Sequence, residues 1–266
     1  MAGGMLAVCA AATQEQREAG GGDVRCCPVV ELRQYTLHPN RFDRFLRLFE
    51  RAFIEPQEAA GMTVIGQFRD LDDPNRFVWL RGFPDMPTRA RALETFYGGA
   101  LWKSLRDEAN DNFIDTDNVL LLKSPGNAAQ FRLAGLQRAA LDAPAKPAGF
   151  VFATIYSLDP QGAAAFADYF ETQVRPALAQ AHMAPLAWFE TDPTPNNFPR
   201  LPVREGEQVF IWIATFVNRE QGEQALRTLS ELPRWRESIA PELARRSKAA
   251  SQVLRLEPTP RSLLRG

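Results

Sequence analysis

Nine bulky residues of the first half of this chain recur in the second half at two fixed offsets. Tyr35, Phe45, Phe49 and Met62 stand 121 positions before Tyr156, Phe166, Phe170 and Met183. Phe77, Trp79, Phe83, Leu93 and Trp102 stand 133 positions before Phe210, Trp212, Phe216, Leu226 and Trp235. The change of offset, 12 positions, falls within one stretch, Thr191 to Val203, which carries Pro193, Pro195, Pro199 and Pro202. Self-similarity in register is the mark of a repeated structural unit. The chain therefore reads as two copies of one fold, with a single lengthened loop in the second.

Periodicity supplies the plan of each copy. Val29 to Leu37 alternates as a strand, and Phe42, Phe45, Leu46, Phe49, Phe53 and Ile54 recur at helical spacing. Pro56 lacks a backbone N–H, so the helix kinks or restarts there. Met62 to Arg69 and Arg76 to Phe83 flank the turn formers Asp72, Asp73, Pro74 and Asn75, which predicts a hairpin. Helical pieces over about 88–97 and 100–110 and a strand over 118–123 complete the unit. Strand, helix, strand, strand, helix, strand is the ferredoxin-like order, so the fold class is α+β. The second copy restarts with a strand over 150–158, a helix through Phe166 to Leu178, strands over 184–190 and 208–216, and a last strand holding Leu254. Residues 1–28 read as a disordered leader, 29–123 as the first unit and 124–148 as a linker. Residues 149–257 read as the diverged second unit and 258–266 as a tail.

Composition narrows the function classes. The chain is 45% hydrophobic and 24% charged, ordinary values for a soluble globular protein. A net charge of −1 offers no electrostatic basis for binding nucleic acid or an anionic membrane. No apolar run approaches the roughly 20 residues of a transmembrane helix. Leu6-Ala7-Val8-Cys9 faintly resembles a lipoprotein cleavage box, but no Lys or Arg precedes it. The expected location is cytoplasmic. Neighbours Cys26 and Cys27 are poorly placed to bridge each other, and no Cys/His spacing suits zinc. The three cysteines are expected to do no chemistry.

The run Glu31-Leu32-Arg33-Gln34-Tyr35, then Phe53-Ile54-Glu55-Pro56-Gln57, Gly66-Gln67-Phe68, Phe77-Val78-Trp79-Leu80-Arg81-Gly82-Phe83 and Trp102 resembles the NIPSNAP family. The likeness is good over about 29–123 and mainly aromatic over 149–256. NIPSNAP domains are similar to the dimeric α/β-barrel superfamily, in which two ferredoxin-like units join their sheets. That superfamily includes cofactor-free monooxygenases, lactone isomerases and haem enzymes. The resemblance implies an architecture far more than a reaction. It leaves open whether the two halves pair within the chain or the chain forms a homo-oligomer.

Strand parity places Glu31, Arg33 and Tyr35 on one face, and Phe77, Trp79, Arg81 and Phe83 on another. Val78, Leu80 and Gly82 are expected to pack on helices, which leaves the Trp and Arg set to line a cavity between sheets. Gln67 and Arg69 are assigned to the same candidate site, together with Trp188 and Trp212 as aromatic wall from the second half. Two arginines, a tyrosine and a tryptophan suit a flat anionic or enolic organic ligand. Guanidinium forks bind anionic oxygens and rings stack on the remainder. In that scheme Arg33 and Arg81 hold an oxygen, Tyr35 moves a proton and Trp79 stacks, with Tyr35 and Arg81 the catalytic candidates.

The plainer alternative is a buried polar seam in which Glu31 pairs with Arg33 or Arg81 and Trp79 is core. Trp102 and Trp235 are read as core. His38 reads as solvated and His182 as structural at a helix end, so neither suits a haem iron. Asp107, Asp111, Asp115 and Asp117 match no metal loop. No cofactor and no metal are called for. The expected function is a small-molecule binder or a cofactor-independent enzyme of oxygenase or isomerase type. The alternative is a non-catalytic protein-interaction module.

Overall fold

The protein is described from a computed structural model over residues 25–141, 143 and 149–266. The first unit opens with a two-residue strand, β1 (Arg25–Cys26), and continues as β2 (Val29–Leu37), α1 (Phe42–Ala52) and α2 (Ile54–Ala59). Pro56 lies in the first turn of α2, where a missing N–H costs nothing. Next come β3 (Thr63–Asp70), β4 (Arg76–Phe83), α3 (Met86–Gly98), α4 (Ala100–Asn110), β5 (Phe113–Asp115) and β6 (Val119–Lys123). Asp85 caps α3 by accepting from the Thr88 N–H, and Pro87 sits in its first turn. After β7 (Phe131–Arg132) the same order runs through β8 (Phe150–Leu158), α5 (Ala163–Tyr169) and α6 (Arg175–Gln180), joined by a π-helical turn. It ends with β9 (Ala187–Thr191), β10 (Gln208–Phe216), α7 (Arg219–Glu231), α8 (Ala240–Arg246) and β11 (Gln252–Pro258).

Eight strands close into a ring within this one chain: β2, β4, β3, β11, β8, β10, β9, β6 and back to β2, all antiparallel. The two halves meet at β3–β11 and at β6–β9. An eight-stranded ring is only wide enough for its own side chains. Val30, Leu32, Val78, Leu80, Leu120 and Leu122 fill it from the first half, and Val151, Ala153, Ile155, Ile211, Ile213 and Leu254 from the second. Tyr35, Phe77, Trp79 and Phe83 point outward, onto α1–α4.

This reverses one expectation. Parity groups the residues correctly, and the register sets Arg33 against Trp79 and Glu31 against Arg81. The faces, however, are exchanged: the aliphatic set lies inside the barrel and the Trp and Arg set lies under the helices. The narrow ring takes branched aliphatics, and only the looser sheet–helix layer has room for indoles and guanidiniums.

The connecting segments are built into the fold more tightly than their composition suggests. Arg25 and Cys26 pair with Arg132 and Phe131, and Cys27 is buried in the barrel core. Cys26 and Cys27 are joined as a vicinal disulfide, although as sequence neighbours they are expected to be poorly placed to bridge. Cys27 takes a positive φ of 74°, which breaks strand alternation and lets both sulfurs reach one side. A Cβ on Gly82 would lie 2.3 Å from Cys27 Sγ, so only glycine fits there. Within the linker stretch, Phe131 is fully buried, and Arg138 donates to Glu58 and to the Val64 and Arg261 carbonyls. At the C-terminus, the Arg261 N–H and Thr259 Oγ1 each donate to Glu50 Oε1 at 2.9 Å.

A truncation removing residues 1–27 is therefore expected to melt a few degrees below one removing only 1–24. It loses β1 and the burial of Cys27, on the order of 1 kcal/mol, which shifts Tm by about 2–4 °C in a chain of this size. Equal melting temperatures would show that residues 25–27 contribute nothing.

Candidate functional site

The site forms where β2 and β4 face α1–α4. Glu31, the third residue of β2, is fully buried and carries three guanidiniums. Arg33 Nη1 donates to Oε2 at 2.6 Å, Arg81 Nε to Oε2 at 2.7 Å, and Arg89 Nε to Oε1 at 2.7 Å. Arg33 and Arg81 come from the paired strands and Arg89 from α3. Burial alone would raise the Glu31 pKa, but the charges of Arg81, Arg33 and Arg89 outweigh it and hold the carboxyl far below the usual range. For Arg89, burial lowers the pKa, and the neighbouring Arg81 and Arg33 add to that against Glu31.

Outer contacts fix the cluster. Arg81 Nη1 donates to Gln57 Oε1 at 3.1 Å and to the Tyr97 hydroxyl at 3.2 Å. Arg89 Nη1 donates to Asn196 Oδ1 at 3.1 Å and Asn197 Oδ1 at 2.7 Å. Three guanidiniums against one carboxylate leave a surplus of two positive charges in a site removed from water. A surplus of that kind is costly unless an anion joins it.

Beside the cluster lies a hollow of about 80 Å³. At roughly 10–15 Å³ of such space per water, it has room for several waters. Arg33, Tyr35, Trp79, Tyr97 and Trp102 line it, with Phe45, Phe49 and Phe53 from the helices. Arg33 Nε donates to the Tyr35 hydroxyl oxygen at 2.7 Å. That oxygen is thus an acceptor from Arg33, which leaves the Tyr35 O–H to be donated elsewhere. Burial pushes the Tyr35 phenol above its usual pKa, against the lowering effect of Arg33, so it is a neutral donor rather than a base. The Trp79 indole N–H is buried without a hydrogen-bond partner among the described residues. Among the described residues, the lining contains no carboxylate and no imidazole.

The remaining residues proposed from sequence divide sharply. Glu31 and Arg81 are wholly buried in the cluster and do not line the hollow. The seam foreseen as the plainer alternative is thus present, and it carries more cations than it needs. Gln67 is fully buried, neither of its amide atoms has a hydrogen-bond partner among the described residues, and it does not line the hollow. Arg69 is part-exposed, 2.6 Å from Asp43 and stacked on Phe42. Trp188 and Trp212 pack in the sheet–helix layer of the second half, against Phe170 and Phe152. Neither reaches the cluster, because sheets joined edge to edge in a barrel send their outward faces in different directions. Trp102, read as core, lines the hollow instead.

Arg89, Gln57 and Tyr97 were missed. For Arg89 a signal existed: it shares an α3 face with Ala92, Leu93 and Phe96, a lone cation on an apolar stripe.

Comparison with known proteins agrees with this architecture. Residues 30–125 match the NIPSNAP family model, so the first half of the chain carries a NIPSNAP domain. A candidate monooxygenase from Lactobacillus acidophilus NCFM is similar at 14% identity, over 89% of this chain and 97% of that one, with a TM-score of 0.52. Another, from Fusobacterium nucleatum subsp. nucleatum, is similar at 7% identity, over 88% and 94%, with a TM-score of 0.53. A NIPSNAP family protein of unknown function from Agrobacterium tumefaciens C58 covers 38% of this chain and 93% of its own, at 20% identity and a TM-score of 0.34. The shared fold is the ferredoxin-like α/β barrel. No curated protein sequence matches the chain. Among the described residues, no helix is long and apolar enough to cross a membrane.

Proposed function

We propose that the NIPSNAP half binds a small, flat, anionic or enolic organic molecule in the hollow under α1–α4, and acts on it as a cofactor-independent enzyme of isomerase or oxygenase type. The observation that carries this reading is the surplus of buried positive charge around Glu31, presented to an aromatic hollow through Arg33. An anionic oxygen placed there meets a guanidinium and the Tyr35 O–H together, while Trp79 and Trp102 flank the carbon skeleton. Such a field lowers the pKa of a bound enol or phenol, so its hydroxyl proton passes to solvent and the enolate forms without a protein base. Return of a proton from solvent to a carbon of that enolate is isomerisation to the keto form; addition of that carbon to dioxygen forms a C–O bond and a peroxide that takes up a proton from solvent, which is oxygenation. Two neighbours in fold are candidate monooxygenases, which is compatible with the second course.

The reading as a non-catalytic interaction module has less to stand on. The exposed large apolar side chains, Leu101, Ile114, Leu136, Leu141, Val217 and Val253, are spread over five separate segments.

The test is a thermal-shift screen of aromatic carboxylates and enolisable diketones, followed by calorimetry. Arg33→Met should weaken binding ten- to a hundredfold, the scale of one charged hydrogen bond (about 1.5–3 kcal/mol), with little change in melting temperature. Tyr35→Phe should weaken it less. Ligands that bind Arg33→Met as well as the parent protein would place the site elsewhere.

A further inference from the structure

The segment that lengthens the second hairpin, residues 192–207 between β9 and β10, does not stay with the second half. Phe198 is buried in the first half's sheet–helix layer, 6.0 Å from the ring of Tyr97. Asn196 and Asn197 hold Arg89, Asn197 donates to the Met86 carbonyl, and Arg200 pairs with Glu94. Leu201 and Pro202 line the hollow itself. The corresponding loop of the first half, between β3 and β4, is short, and its Leu71 packs on the second half's core. Each hairpin loop thus reaches the other half. Only the one that covers the polar cluster is long.

The same segment roofs a second space of about 430 Å³, walled by α4 through Trp102, Lys103 and Arg106. Tyr97, Trp102, Asn110, Thr116, Leu201 and Pro202 line both spaces. The two spaces therefore adjoin at these six residues, the inner chamber beside Arg33 and Tyr35 and the outer vestibule beside Lys103 and Arg106, and their common boundary is termed the neck.

Resting on the function proposed above, we infer that Leu201 and Pro202 set substrate length. The ligand is an elongated aromatic or enolic anion, with its charged head at Arg33 and Tyr35 and its remaining ring or chain in the vestibule beneath residues 198–202. The inner chamber, about 80 Å³ against about 430 Å³ for the vestibule, is the smaller space and takes the carboxylate or enol head. The aromatic neck takes a planar group behind it, and the vestibule is large enough for a further ring.

Benzoate, which reaches no farther than the neck, and biphenyl-4-carboxylate, which extends beyond it, are the probes for calorimetry on the full chain. The parent protein should bind the longer probe at least tenfold more tightly. Leu201→Trp should remove that preference by weakening the biphenyl probe at least tenfold more than it weakens benzoate. Leu201 is part-exposed, so Leu201→Ala should fold even if the larger residue is not accommodated. It should reduce the preference by loss of contact. If both probes bind and depend on Arg33 but the two Leu201 variants leave their ratio unchanged, the length-setting role is overturned and the anion site stands. If neither probe binds the parent protein, both proposals fail.

Discussion

Glu31→Gln is expected to destabilise this protein by about 3–5 kcal/mol, the cost of removing one partner from a buried charge network. The substitution keeps size and shape but leaves Arg33, Arg81 and Arg89 with no counter-ion, all three buried. Denaturant melts should show a lower midpoint at an unchanged slope. Adding Arg89→Met should recover part of the loss, because the double variant holds two buried cations instead of three. A loss below about 1 kcal/mol would mean that the surplus charge is already neutralised by something other than Glu31.

Acid should reproduce the effect in the parent protein. The folded-state pKa of Glu31 is strongly depressed, so its contribution is full above the unfolded value of about 4.3, declines as pH falls below that, and is gone only below the much lower folded value. The parent and Glu31→Gln stability curves should therefore converge below about pH 4. Parallel curves down to pH 2 would contradict the assignment.

The strand parity and the turn at Asp72–Asn75 were legible in the sequence, because each is a local property of the chain. Which face of a strand looks into the barrel is a different kind of fact. Val78-Leu80 and Trp79-Arg81 satisfy the same alternation, and only the closure of eight strands, with its fixed bore, assigns the smaller set to the inside. The site was half legible for the same reason. Glu31, Arg33, Tyr35 and Arg81 lie on adjacent strands and could be brought together by register alone. Arg89 and Tyr97 join them from α3, and Asn196 and Asn197 from a loop more than a hundred residues downstream. No spacing rule links such positions. The insertion itself was visible as a jump in offset, but its destination over the other half was set by packing.

Arg81→Ala and Trp212→Ala should both behave as core truncations, although sequence alone cast the first as a ligand contact. Trp212 is buried against Phe152, and its loss should cost about 3–5 kcal/mol. Arg81 is equally buried and does not line the hollow. Its removal leaves Gln57 and Tyr97 short of a donor and opens a cavity behind Glu31. Coulomb energy works the other way, since the cluster drops from two surplus charges to one and Glu31 keeps Arg33 and Arg89. The packing and hydrogen-bond losses win, for a net cost of about 2–4 kcal/mol. Arg33→Met differs from both: it also lowers the surplus, yet it removes the one guanidinium of the cluster that lines the hollow. The expected order is therefore Trp212→Ala, then Arg81→Ala, then Arg33→Met in loss of stability, with Arg33→Met first in loss of ligand. Parallel denaturant melts and calorimetry on the three variants measure both orders. An Arg81→Ala variant that keeps its melting midpoint but loses ligand would return Arg81 to the binding site and remove it from the frame that holds Glu31.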